Sequence, residues 1–255
     1  MSARPATRVA RILRAAAIFS AATVVTLAQL QLPSKKLWDK SSVALYAAVV
    51  VLALLATQDA AKLAGQTLQS GRLRRYERDV RAILSTGLAK AVSSSTIPWD
   101  SVGVHAFLLH GLWPWRRLVN VGGIRLGVRP SMAGPTWTPG KGVVGVAFKH
   151  KVFLAEDWGT VMVRANALGP ARWRALPSVN RYGLSWGELQ LTSDYVGICA
   201  CPIYATSGKA IGCVSLDAPL TATKLSEPAV QVILRDVATG VCASGKPPRA
   251  WYYDG

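Results

Sequence analysis

The chain has 255 residues, of which 51% are hydrophobic and only 17% charged, short of the roughly 25% charged residues of soluble domains. Its net charge of +17 is uneven, because residues 1–90 hold 14 Lys/Arg against 4 Asp/Glu. This excludes an ordinary soluble globule along the whole chain, and the basic excess beside apolar segments favours anionic lipid over nucleic acid as the partner.

Two apolar stretches come first, Ala15–Leu32 and Ser41–Gln58. Each is long enough, at about 1.5 Å per residue, to cross a bilayer core. Pro33 ends the first, and the connection Pro33–Lys40 is too short for a domain, so the expected form is a transmembrane hairpin over residues 1–58, with helices at about 12–32 and 41–58. Arg4, Arg8, Arg11 and Arg14 precede it, and Lys62, Arg72, Arg74, Arg75, Arg78 and Arg81 follow. Both flanks outweigh Lys35, Lys36 and Lys40 in the loop, which places both termini on the cytoplasmic side of the inner (plasma) membrane as a multi-pass protein. A signal peptide followed by one anchor is the alternative, and it leaves the remaining chain on the same side.

Residues 59–95 read as a basic connecting helix. Leu73, Tyr76, Val80, Ile83, Leu84 and Leu88 recur at helical spacing. The stripe suits packing on the chain's own domain or a parallel homodimer. Ser93-Ser-Ser-Thr breaks it.

After Pro98 the period changes. Val102–Leu109 alternates as a strand, and Arg117–Val121 and Ile124–Val128 read as two more, separated by Gly122-Gly123. Gly140-Lys-Gly-Val-Val-Gly opens a short helix. Val152–Asp157 is a strand or turn, and residues 166–190 read as irregular. Gly197–Tyr204 and Ala210–Asp217 form a hairpin around Thr206-Ser-Gly-Lys. An amphipathic helix over Glu227–Cys242 closes the domain, and 244–255 is a tail. The order implies an α+β fold, an antiparallel sheet backed by helices. Cys199, Cys201, Cys213 and Cys242 include no C-x-x-C pair and the chain has only three His, which speaks against zinc, and the expected reducing setting speaks against disulfides.

Three segments resemble a GAF domain. They are Gly140-Lys-Gly-Val-Val-Gly, the hairpin Cys201-Pro-Ile-Tyr-Ala-Thr-Ser-Gly-Lys-Ala-Ile-Gly-Cys-Val-Ser-Leu-Asp, and the closing helix. The resemblance covers about residues 76–243, with the domain proper at 96–243. It implies a GAF-like sheet with flanking helices and a small-molecule pocket between one sheet face and residues 140–189. The implied ligand contacts are Lys141, Phe148, Asp157, Trp158, Arg172, Tyr182, Trp186 and Glu188, with Trp137 and Trp173 nearby. These aromatics equally suit a core. Gly140–Gly142 at a helix start offers backbone donors to an anion.

The resemblance implies a sensor or scaffold taking an unidentified small ligand or a signalling partner, with no cofactor, metal or catalytic constellation assigned. One alternative is a membrane effector of nucleotide-triggered antiphage defence. Another is a GAF-type methionine sulfoxide reductase, although Cys199 and Cys201 alternate onto one strand face and read as core residues. His105 and His150 are the histidines that a haem would need, and lone histidines are more often structural.

Overall fold

The computed structural model describes residues 5–30, 32, 34, 42–94, 99–112, 114–125 and 135–248. The chain divides into two compact units, Met1–Gly71 and Arg72–Gly255.

In the first unit, α1 spans Pro5–Gln29. The second apolar stretch and the connecting segment run as one unbroken helix, α2, over Ser42–Ser94. Of the two apolar stretches, α2 alone is long and apolar enough to cross a membrane among the described residues, while the apolar part of α1 is the shorter Arg14–Gln29. Val43, Tyr46, Val50 and Leu54 are exposed on α2, as is Phe19 on α1. Such a surface suits lipid better than water. The Arg14 guanidinium pairs with the Asp59 carboxylate. The expected loop Pro33–Lys40 lies outside the described residues except for Ser34, and most of the C-terminal tail lies outside them too.

The second unit is built on a five-stranded antiparallel sheet in the order β2-β1-β5-β4-β3. The strands are β1 (Gly103–His110), β2 (Arg117–Arg125), β3 (Leu154–Asp157), β4 (Gly197–Tyr204) and β5 (Ala210–Ala218). This is the α+β arrangement, an antiparallel sheet with flanking helices, that the sequence implies. A correction concerns β2, which runs unbroken to Arg125 where a break at Gly122-Gly123 was expected, while residues 126–128 of the second expected strand lie outside the described residues. Gly122 and Gly123 do not interrupt it, because their missing side chains leave room for neighbours. A Cβ at Gly122 would lie 2.7 Å from Val80 Cγ1, and one at Gly123 would lie 2.4 Å from His105 Nδ1. The register shifts between Ala106 and Phe107 instead, leaving Val121 as the extra residue of a bulge.

Helices cover both faces. On one, the Arg72–Ser94 part of α2 and the closing helix α7 (Pro228–Ala243) bury Tyr76, Val80, Leu84, Leu88, Ile233, Leu234 and Val237 against Val104, Leu108, Cys201, Val214 and Leu216. On the other lie α3 (Gly142–His150), α4 (Trp158–Ala175) and α5 (Trp186–Gln190), while the short α6 (Ala222–Leu225) precedes α7. A second correction follows, since residues 166–190 are mostly helical. The dipeptide Gly169-Pro170 breaks α4 at a single residue. Gly169 takes φ 72°, and Pro170 restarts the helix, because an N-terminal helical position needs no N–H donor. Ser185 then caps α5 in a capping box with Glu188.

Candidate functional site

The glycine motif before α3 proves to be a packing motif. The Gly140 amide donates to the Gly145 carbonyl at 2.7 Å, Lys141 to Thr138 at 2.9 Å and Gly142 to Tyr182 at 2.7 Å. The donors expected to receive an anion are therefore taken by the chain itself.

The residues expected to line a pocket are brought together only in part. Trp158 and Trp173 are fully buried with Leu184 and Leu189. Trp158 Nε1 donates to Thr192 Oγ1 at 3.0 Å, and Trp173 Nε1 to the Leu184 carbonyl at 3.3 Å. Phe148, Trp137 and Trp186 pack against this cluster. Tyr182 meets Trp158 edge-on, with ring centroids 5.3 Å apart. Lys141 Nζ and Glu188 Oε1 form an ion pair at 2.7 Å. Burial pulls the Glu188 carboxyl up, but hydrogen bonds from Lys141 and Ser185 outweigh it and hold the group below its ordinary value. Asp157 caps α4 by accepting from the Thr160 amide at 3.1 Å, and Arg172 is exposed in the last turns of α4. The aromatics therefore serve the core, Asp157 serves a helix start, and Lys141 and Glu188 tie α3 to α5.

A different group stands out on the same sheet face. Gly103 in β1 pairs with Arg125 of β2 on one side and Asp217 of β5 on the other. A Cβ at 103 would lie 2.6 Å from Asp217 Oδ1, so the glycine opens the space across which Arg125 Nη1 reaches Asp217 Oδ2 at 2.8 Å. Two positions along β1, His105 occupies the room left by Gly123, and its Nε2 lies 3.2 Å from Asp217 Oδ1. The Asp217 side chain is 4% exposed and that of Arg125 13%.

Proximity does not amount to directed bonding here. Both Asp217 oxygens, His105 Nε2, and Arg125 Nε and Nη1 are buried without an aligned hydrogen bond among the described residues. The Tyr195 ring lies 5.9 Å from the Arg125 guanidinium carbon, and burial first, then the Asp217 charge, pushes its hydroxyl up to about 12. Along the same row of the sheet, Ile198 separates Asp217 from Glu156. Burial first, and then Glu156, raises the Tyr182 hydroxyl above its ordinary range. This end of the face therefore holds Arg125, His105, Asp217 and Glu156 beneath two tyrosines. It can offer a carboxylate to donors and a guanidinium to acceptors.

The sequence reading weighed His105 alone and missed Arg125, Asp217 and Tyr195. The signal was present in the strand alternation, which puts Asp217, Ser215 and Cys213 on one face.

Cys199, Cys201 and Cys213 are buried. Burial raises all three thiols and keeps them protonated. On the opposite face, a cavity of about 330 Å³ between β4 and α7 is lined by Lys151, Phe153, Cys201, Tyr204 and Arg235, among others.

No protein-family model matches the chain, and neither does any curated protein. Among solved structures it is similar to a GAF domain at 14% identity, over 70% of this chain and 88% of that one, with a TM-score of 0.40. It is similar to the GAF domain region of a Geobacter sulfurreducens protein at 15% identity, over 67% and 95%, with a TM-score of 0.44. It is also similar to the free methionine-R-sulfoxide reductase of Neisseria meningitidis with its substrate, at 16% identity, over 72% and 92%, with a TM-score of 0.40.

Proposed function

We propose that the chain is a membrane-anchored sensor whose GAF-like unit binds a small polar ligand at Arg125, His105 and Asp217. The observation that carries this reading is a buried charge cluster whose hydrogen-bonding capacity is unspent. Burying a close ion pair whose hydrogen bonds are not aligned is costly, and groups kept that way in a folded domain are candidates for binding a ligand. The ligand class that fits presents a donor beside an acceptor, so that Asp217 accepts from one and Arg125 donates to the other.

Support for the anchor comes from the apolar, exposed part of α2 and from the basic residues on both sides of the apolar segments, which favour cytoplasmic termini. Support for sensing comes from α2 itself, since one helix supplies both the apolar stretch and the buried Val80, Leu84 and Leu88.

The test is a thermal-shift screen of the full chain in detergent against small polar metabolites. A binder should raise the Tm, and Asp217→Asn should abolish the rise. A panel without any hit, or a hit insensitive to Asp217→Asn, defeats the ligand reading. Extraction of the chain from vesicles by alkaline wash would defeat the anchor.

A further inference from the structure

The two hairpin turns of the sheet differ in chemistry. The β4–β5 turn is Ala205-Thr-Ser-Gly-Lys, polar as exposed turns usually are. The β1–β2 tip reads Gly111-Leu-Trp-Pro-Trp-Arg-Arg117. Here Leu112 is 81% exposed and Trp115 80%, with Pro114, Arg116 and Arg117 exposed around them. The Leu112 and Trp115 side chains protrude beyond the last strand pair, His110 with Arg117, and a turn needs neither of them for its backbone.

Apolar and tryptophan side chains beside arginines are the chemistry of a surface that enters a bilayer's headgroup layer. Tryptophan places an apolar ring and a polar N–H at that depth, and arginines add attraction to anionic lipid. No acid lies between positions 110 and 117, and neither Arg116 nor Arg117 closes an ion pair among the described residues.

We infer that the exposed Leu112, Trp115, Arg116 and Arg117 dock on an anionic membrane surface. This rests on the membrane-anchored reading above, and it adds a second, reversible contact between the domain and lipid. Docking would hold the domain against the bilayer in one orientation.

The test uses the full chain with Cys242→Ser and Pro114→Cys, the three other cysteines being buried, and a nitrobenzoxadiazole label at position 114. In vesicles of phosphatidylcholine with phosphatidylglycerol, the label's emission should shift to the blue and rise roughly threefold over that in detergent. Adding Leu112→Ser with Trp115→Ser should remove the rise, and Arg116→Glu with Arg117→Glu should reduce it. Retention through an alkaline wash reads the anchor separately. A chain that is retained while its label stays silent overturns the docking and leaves the anchor standing. A chain that is washed off, yet whose label responds to vesicles before the wash, does the reverse. A rise that survives Leu112→Ser with Trp115→Ser, or one that follows protein concentration without lipid, overturns the proposal. The concentration-dependent result points to a second copy on the tip.

Discussion

The two faces of the sheet are made by the same strands, yet they are built differently. Under α2 and α7 the strand residues are Val104, Ala106, Leu108, Cys199, Cys201, Val214 and Leu216, a uniformly apolar set. Under α3, α4 and α5 the face starts apolar at Phe107, Cys213 and Ala200 and ends in His105, Arg125 and Asp217. The apolar face gains stability from burial alone. The other face spends part of that gain on charges whose bonding is incomplete. A fold selected only for stability would fill the second end as it fills the first. The contrast is what the proposed ligand site at the mixed face rests on.

Substitutions can test that contrast. The largest effects belong to the dry parts. Trp173→Ala and Leu84→Ala should each cost about 3–4 kcal/mol, read as a fall in Tm of the full chain in detergent. Asp217→Asn comes next, at about 3 kcal/mol, because it leaves the Arg125 charge buried without its partner. Replacing both, as Arg125→Met with Asp217→Leu, should restore the Tm to within about 1 kcal/mol of the parent or better while abolishing ligand binding. A double variant as unstable as Asp217→Asn would show the cluster to be structural and dissolve the contrast.

A smaller effect is expected from the Lys141–Glu188 pair, worth at most about 1 kcal/mol. The folded-state carboxyl of Glu188 is held below its ordinary value of 4.5. Its contribution is therefore complete above that pH and is lost as the pH falls through the depressed value. Lys141→Met should flatten this part of a Tm-against-pH curve, and an unchanged curve would remove the pair from the account. The last test changes no stability. In the native chain Cys242, which is partly exposed, should react first with a thiol reagent, while Cys199 and Cys213 react only after unfolding. Early loss of Cys213 would show that the mixed face is open to solvent.

Much of the arrangement is legible in the chain, because it rests on periodicity. The hairpin Gly197–Ala218 and the closing helix alternate or recur cleanly, and they lie within a residue or so of where the pattern puts them. The continuity of β2 is not legible because glycine carries two meanings. Gly122 and Gly123 look like a break, yet they are gaps filled by Val80 and His105 from elsewhere in the unit, which no local pattern reveals. The helical nature of residues 166–190 was hidden by Gly169-Pro170, a strong breaker that here breaks only once. The charge cluster was hard to see because its members come from three strands, and register alone brings Arg125 and Asp217 to either side of Gly103. Trp158 and Trp173 were easy to notice as ligand contacts and are buried instead, since large aromatics carry the same signal in a pocket and in a core.

The strand order carries a consequence for how the domain is made. On one side β1 pairs with β2, which follows it closely in the chain. On the other it pairs with β5, matching Phe107 with Cys213. During synthesis the β1–β2 ribbon emerges early, while the opposite edge of β1 waits for nearly the whole remaining domain. An open edge invites pairing with a foreign strand. The interval between translation of His110 and of Ala218 is thus the period when the nascent chain is most exposed to misassembly, and α2, already made, is the element available to shield the ribbon's apolar side until β5 arrives.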